Sequence, residues 1–353
     1  MSKRKVALFY TELSHYRVPI LKLVAKEVEL TVVCGKFSGN KEELNFDVNE
    51  VEVKKFGPFY YFRLNGFFKY ISQFDVIIGL MDLRLIQFIL LFLAPIKCRY
   101  ALWGIGMSAS YTKKFNSQDI QSKIRSYLAS KANSVILYSE KPKSLFKSLG
   151  YPEEKIHIAH NTISNDYKFR KNNNKDSFLF IGTLYQAKGI EDLLNQYVIA
   201  LKKREYNLPK LNIVGDGELR SYIESYISRF GLSNHIKLVG AIYCKDELIP
   251  YFEDAILTIS PNQAGLSVLT SMSYGVPFVT CQDAITGGEI LNIKDGYNGV
   301  IIKDKSEISN IFIDSSSNKE KYIEMGVNAY NFYKSERSPE IMARAVINCV
   351  DNI

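Results

Sequence analysis

Three short stretches of this 353-residue sequence hold residue types suited to binding phosphate. In Gly182-Thr183-Leu184-Tyr185-Gln186-Ala187-Lys188-Gly189 a lysine precedes a glycine. The ammonium is a point charge that can reach a diphosphate, and the glycine allows close backbone approach. In Leu211-Asn212-Ile213-Val214-Gly215-Asp216-Gly217-Glu218 a β-rich run ends in a Gly-x-Gly turn. That turn either cradles a ligand with its N–H groups or is only a tight turn. It lacks the third glycine of a dinucleotide fingerprint, which places an NAD dehydrogenase last among the readings. Ile259 to Thr280 reads as a strand end, a loop (Asn262-Gln263-Ala264-Gly265), a helix through Leu266, Val268, Leu269 and Met272, and a second strand after Gly275 and Pro277. Such a unit aims free N–H groups and a partial positive charge at whatever sits above the sheet. An ordinary βαβ packing unit has the same pattern, and a lone Lys-Gly is common in surface loops, so each motif by itself leaves both readings open.

The remaining candidates are fewer. His15 lies in the first crossover loop beside Arg17, placed for ligand binding or proton transfer, or as a satisfied loop histidine. His157, His160 and His235 flank strands and read as structural. No carboxylate pair stands out as acid and nucleophile, as a glycosidase would need. No post-strand loop carries Asp-x-Asp, so no metal is expected.

The elements that must position these residues alternate. Strands are expected at Lys5–Tyr10, Glu29–Cys34, Val51–Lys54, Val76–Leu80, Arg99–Trp103, Ser134–Tyr138 and Ile156–Ala159, with helices at Val18–Lys26, 83–93, 118–131 and 140–149. The polar run Asn161 to Ser177 is the best linker in the chain. The pattern then restarts, with strands at Phe178–Gly182, Leu211–Gly215, Ile236–Val239, Ala255–Ile259, Pro277–Thr280 and Gly299–Ile302. Helices fit Ile190–Lys203, Glu218–Phe230, Asp246–Glu253 and Leu266–Tyr274, and the tail from Lys319 is helical with a break at Ser338-Pro339. This is an α/β chain of two doubly wound halves, whose ligand crevice lies at the strand C-termini.

Composition narrows the class. The hydrophobic fraction of 46% and charged fraction of 23% are those of a soluble globular protein. Five scattered cysteines without a metal spacing fit a reduced cytosolic compartment. The N-terminus reads as a first strand and not as a secretion signal. The greasy run Leu85 to Ile96 is too short to span a bilayer and reads as a core helix. A net charge of +8 suits anionic partners, and with no nucleic-acid module present these are phosphorylated ligands or acidic lipid headgroups. The stretch Lys54 to Tyr70 is crowded with aromatic and basic residues; it reads either as core packing or as an interfacial patch that docks on an anionic bilayer.

Taken in order, these pieces resemble a known family. The succession runs from Gly182-x-Leu184-x-x-x-Lys188-Gly189 through Ile213-Val214-Gly215-Asp216-Gly217-Glu218-Leu219-Arg220 to Gly231-Leu232 and Ile236 to Gly240. It continues through Ser260-Pro261, Gly265 to Leu269, Gly275-Val276-Pro277, Gly287-Gly288-Glu289 and Asp295 to Gly299. This is similar to the C-terminal domain of the retaining nucleotide-sugar glycosyltransferases of family 4. The N-terminal half agrees more loosely through Ser14-His15-Tyr16-Arg17-Val18-Pro19, Trp103-Gly104-Ile105-Gly106 and His160-Asn161-Thr162.

The resemblance implies the GT-B architecture, two Rossmann-like doubly wound parallel-sheet domains facing a central cleft. Its boundaries would be an acceptor-side domain over 1–163, a linker over 164–177, a donor domain over 178–335, and a C-terminal helix over 336–353 crossing back. It implies a retaining, metal-independent hexosyl transfer from a nucleotide-sugar, UDP ahead of GDP, with no cofactor. The acceptor would be a glycan or lipid-linked saccharide in bacterial surface polysaccharide assembly, in the cytoplasm or peripherally on the inner face of the membrane. Carried over, Lys188 pairs with the diphosphate, and N–H groups around Ala264, Gly265, Leu266 and Ser267 bind phosphate and sugar hydroxyls. Thr183, Gly215, Asp216 and Gly217 line the donor side, Val239 and Gly240 lie near the base, and Glu289 matches the acidic residue after Gly-Gly. His15, Arg17, Gly104 and Gly106 fall on the acceptor side. The sequence departs from the family where it matters: the usual paired glutamates are Asn262 and Thr270, the usual arginine is Thr183, and a frequent histidine is Ile105. Asn262 or Gln263 then takes over sugar recognition with a neutral amide, and Thr270 holds the ribose through its hydroxyl. A degenerate binding protein on the same fold and a nucleotide-sugar epimerase are the alternatives.

Overall fold

The computed structural model describes residues 2–91, 98–106, 108–110, 113–117, 120–205 and 207–353. The chain divides into two compact units, Met1–Ser164 with Arg337–Ile353, and Asn165–Glu336.

The first unit contains, in chain order, strands β1 (Lys5–Tyr10), β2 (Glu29–Cys34), β3 (Asp47–Glu50), β4 (Val53–Phe56), β5 (Phe59–Phe62), β6 (Val76–Leu80), β7 (Arg99–Gly104), β8 (Ser108–Ser110), β9 (Lys113–Ser117), β10 (Ser134–Leu137) and β11 (Ile156–Ile158). Its helices up to that point are α1 (Val18–Val24), α2 (Phe67–Ile71), α3 (Ile86–Leu90), α4 (Ile120–Ala129) and α5 (Lys143–Ser148). Seven strands form one parallel sheet in the order β11-β10-β7-β6-β1-β2-β3. Two antiparallel hairpins, β4–β5 and β8–β9, stand outside it.

The second unit contains β12 (Ser177–Ile181), α6 (Ile190–Lys203), β13 (Lys210–Val214), α7 (Arg220–Arg229), β14 (Ile236–Gly240), α8 (Lys245–Asp254), β15 (Ala255–Ile259), α9 (Ser267–Ser273), β16 (Phe278–Cys281), β17 (Gly299–Ile302), α10 (Ile308–Ser317) and α11 (Lys319–Glu336). Its sheet is parallel in the order β14-β13-β12-β15-β16-β17. Helices cover both faces, so central strands are apolar throughout: all five residues of β15 are buried. Strand order reverses between β12 and β15, and the crevice at their carboxyl ends is where such a sheet accepts ligands. The chain ends as α12 (Pro339–Asp351), which packs on α1 in the first unit. Met342, Ala343, Val346, Cys349 and Val350 form its buried stripe and share one core with Ile20, Leu21 and Val24.

Several elements differ from the sequence reading. The strand expected at Val51–Lys54 is replaced by β3, four residues earlier, and by the start of β4. β3 is an edge strand of sequence Asp-Val-Asn-Glu, whose charges suit an edge and hide it from an apolar pattern. α10 was not expected because its last residues are serines, which favour turns; an Asp304–Glu307 capping box precedes it. Of the expected core helix at Leu85 to Ile96, α3 accounts for five residues and 92–96 lie outside the described residues. Positions 118–119 of the expected helix 118–131 also lie outside them.

The polar stretch before β12 forms neither helix nor strand among its described residues, yet it is held down. Asn165 donates to Ser273 at 2.8 Å, and Tyr167 packs on Tyr274 and donates to Glu253 at 2.9 Å. Lys175 is 3% exposed and donates to the Phe252 carbonyl at 3.0 Å. Burial draws its pKa from 10.5 down to about 8, against the opposing pull of Asp254 and Glu253. The unfolded chain therefore binds this proton more tightly than the fold does. The resulting penalty, about 3 kcal/mol, is fully present below pH 8 and fades as pH rises toward 10.5. Lys175→Met should lack this alkaline gain in stability. Thermal melts of the two proteins across that range check it, and parallel curves would refute it.

Candidate functional site

The loops after β12, β13 and β14 are laced together through their backbones. Gly182 N–H donates to Val214 O at 3.0 Å, Leu184 N–H to Asp216 O at 2.9 Å, and Gly215 N–H to Gly240 O at 2.8 Å. Such close lacing requires glycine. A Cβ on Gly215 would lie 1.9 Å from Gly182 O, and one on Gly217 would lie 2.5 Å from Leu184 O. Both also adopt positive φ, 152° and 156°. The Gly215-Asp216-Gly217 turn therefore holds the β12 loop in place. Asp216 and Thr183 are exposed there, and Val239 and Gly240 are half-buried.

Lys188 ends a short 3-10 turn, Gln186–Lys188, and is followed by Gly189 at φ 72°. Its ammonium folds back over Gly182, where a Cβ would come within 3.2 Å of Nζ. Burial holds its pKa below the ordinary lysine value, and it meets no carboxylate among the described residues. A desolvated cation without an internal counter-ion is electrostatically costly unless an anion completes it.

The β15 loop comes up against the same place. Asn262 lies on Gly189, so that a Cβ there would be 2.7 Å from Asn262 Cγ. Gln263 Oε1 accepts from the Tyr185 hydroxyl at 2.7 Å, which turns its amide N–H groups away from Tyr185. The loop is pinned from behind, with Ile285 N–H donating to Asn262 O at 2.7 Å and Ala264 N–H to Ile285 O at 2.9 Å. The N–H groups of Gly265, Leu266 and Ser267 meet no backbone acceptor among the described residues. The Ser267 hydroxyl is buried without a partner. Thr270 Oγ1 donates to Leu266 O at 3.1 Å, so only its lone pairs are left to offer a ligand. Glu289 is buried, and its carboxylate accepts from Gly287 N–H at 3.0 Å, holding the Gly287-Gly288 turn.

Lys188, Asn262, Gln263 and the Gly265 loop thus gather at the switch point of one sheet. His15, Arg17, Gly104 and Gly106 belong to the other unit. His15 is exposed there. Arg17, expected in an open loop, is 5% exposed and donates to the Tyr138 hydroxyl at 3.0 Å. Tyr16, Trp103 and Tyr138 turn ring faces to its guanidinium at 5.2–5.5 Å, so aromatic faces stand where a carboxylate would. Gly104 and Gly106 close against Met81 and against Leu137 and Pro142, respectively. Tyr185 was missed as a site residue, because its link to Gln263 spans 78 positions and only the strand order brings the two together.

Residues 162–332 match the family model described as Glycosyl transferases group 1. An uncharacterized glycosyltransferase of Methanocaldococcus jannaschii is 31% identical over 179 residues, which are 49% of this chain and 44% of that protein. The chain thus spans less than half the length of this curated relative. Among solved structures, Anabaena HepE in complex with UDP is similar over 99% of this chain and 100% of its own, with a TM-score of 0.69 at 16% identity. The same protein has been solved with UDP-glucose. The lipopolysaccharide outer core galactosyltransferase WaaB is similar over 98% of this chain and 99% of its own, with a TM-score of 0.66 at 14% identity. The chain therefore has the GT-B fold of two Rossmann-like parallel-sheet domains, and its residues 162–332 are similar to group 1 glycosyl transferases.

Proposed function

We propose that the protein is a retaining, metal-independent glycosyltransferase of family 4 that takes a nucleotide-sugar donor, a UDP-sugar first. The observation that carries this is Lys188, a desolvated ammonium without an internal carboxylate, set over a glycine at the sheet's switch point. A donor diphosphate supplies the missing charge. The neighbouring N–H groups of Gly265 to Ser267 and the amides of Asn262 and Gln263 then take phosphate oxygens and sugar hydroxyls, doing with neutral groups what paired glutamates do in the family. In the retaining reaction the acceptor oxygen attacks the anomeric carbon on the face the phosphate leaves. The departing phosphate takes the acceptor proton, and the protein contributes positioning and phosphate stabilisation. The acceptor we assign is a glycan or lipid-linked saccharide of bacterial surface polysaccharide assembly, met at the cytoplasmic face of the membrane. WaaB, named for lipopolysaccharide outer core galactosyl transfer, supports that direction.

The replacement of the paired glutamates favours a second reading, a nucleotide-sugar-binding protein without turnover. Acceptor-dependent release of UDP by the purified chain, unchanged by a chelator, decides for the enzyme. Its absence with every acceptor, alongside tight donor binding, decides for the binder. Asn262→Ala and Gln263→Ala are each expected to weaken UDP-sugar binding about tenfold, the loss of one to two amide hydrogen bonds. Titration calorimetry measures it, and unchanged affinity in both variants removes the β15 loop from the site.

A further inference from the structure

The β4–β5 hairpin carries apolar residues on both of its faces. Cross-strand pairing sets Val53 opposite Phe62 and Lys55 opposite Tyr60 on one face, and Lys54 opposite Tyr61 and Phe56 opposite Phe59 on the other. The first face is turned inward: Phe62 is buried, and Val53 and Tyr60 pack on the core. The outer face therefore carries the Phe56–Phe59 pair beside the Gly57-Pro58 turn, and Phe56 is 76% exposed. Two short helices stand beside the hairpin and expose apolar residues of their own. α3 is clamped to β5 by two hydrogen bonds between the Gln87 side chain and the Phe62 backbone, and it exposes Ile86 and Leu90. α2 buries Phe67 and exposes Phe68. Phe62, Phe67 and Phe88, one from each element, meet Phe9 in a single aromatic cluster, so the three elements are neighbours.

We propose that this face docks on an anionic lipid bilayer, with Phe56 and Phe59 inserted at the depth of the headgroups. Charge chooses the occupant. Between Glu52 and Tyr70 the chain has four cations, Lys54, Lys55, Arg63 and Lys69, against one acid. Glu52 is shared by Arg63 at 2.8 Å and Lys54 at 3.8 Å, while Lys55 and Lys69 meet no carboxylate among the described residues. Aromatic side chains at a turn, with lysines in the flanking strand and the next helix, match an interface that is apolar inside and negatively charged at its surface. No described helix is long and apolar enough to cross a membrane, so this contact would be peripheral. The inference deepens the lipid-linked acceptor reading above, but the docking itself requires no donor.

The test is co-sedimentation of the full chain with vesicles of phosphatidylcholine alone or with 30% phosphatidylglycerol, composition chosen for its charge. Wild type is expected to bind the acidic vesicles at low salt, to bind neutral ones at least tenfold more weakly, and to be released as salt rises. Phe56→Ser with Phe59→Ser should reduce binding at least tenfold, and Lys55→Gln with Lys69→Gln should flatten its salt dependence. Thermal stabilisation by UDP-sugar confirms that each variant is folded. It also separates the two proposals, since lost docking with intact donor binding leaves the donor reading standing. Wild type failing to bind acidic vesicles overturns the inference, as does the serine variant binding like wild type. A wild-type dimer abolished by the serine substitutions, without vesicle binding, would assign the face to a second copy of the chain and equally overturn it.

Discussion

Lys188→Ala is expected to lower kcat/KM for sugar transfer by about two to three orders of magnitude while leaving the free protein as stable as before, or more so. The two outcomes have the same origin. In the unliganded fold the ammonium is desolvated and meets no internal carboxylate, so removing it relieves a cost. In the complex its absence leaves diphosphate charge in a partly dehydrated site, a loss on the order of 2–5 kcal/mol. A lysine serving only the fold would show the opposite pattern, with stability lost and donor binding kept. Lys188→Arg should rescue little, because a planar guanidinium does not reproduce the point charge that Nζ places over Gly182. Since burial lowers the lysine pKa, donor affinity should fall on the alkaline side as the ammonium loses its proton, and Lys188→Ala should abolish that limb. Melting curves with and without UDP-sugar, together with kcat/KM across pH, check these expectations.

Gly215→Ala should be the most damaging single methyl group in the second unit. Its Cβ would stand 1.9 Å from Gly182 O at a φ of 152°, so both the turn and the adjoining strand must move. Strain and displacement together should cost on the order of 3 kcal/mol. Donor binding should fall as well, because Gly182 supports Lys188. Gly265→Ala is the matching control. Nothing lies within 4 Å of its Cβ direction and its φ is not positive, so stability should change by less than about 0.5 kcal/mol. Any loss of donor binding in that variant then reports contact with the ligand alone. Equal melting temperatures for Gly215→Ala and wild type would refute the lacing of these loops as a structural requirement.

The strands of both sheets were legible because parallel strands covered on two faces are written as uninterrupted apolar runs, as in Ala255-Ile256-Leu257-Thr258-Ile259. The elements that escaped are those without such a face. β3 is polar because it is an edge, and β4–β5 hides inside an aromatic stretch that periodicity cannot resolve. In the candidate site, Lys188 and the glycine turns were singled out by their order along the chain, which resembles the family pattern, and not by residue type alone. What the sequence does not display is which partner each side chain has. Arg17 reads as a loop cation, but ring faces contributed by Trp103 and Tyr138 enclose it. Glu289 matches the acidic residue after Gly-Gly without showing its direction, and in the fold it accepts from Gly287 N–H. Gln263 owes its orientation to Tyr185, a neighbour only because β12 and β15 lie side by side.

The placement of α12 bears on how the protein is made. The second unit is one uninterrupted segment, Asn165–Glu336, whereas the first needs residues from both sides of it. During synthesis the nascent chain delivers β1 through β11 first, but Ile20, Leu21 and Val24 wait for Met342, Val346 and Val350 to emerge. The unit translated first is therefore completed only after the whole of the second unit's segment has been made.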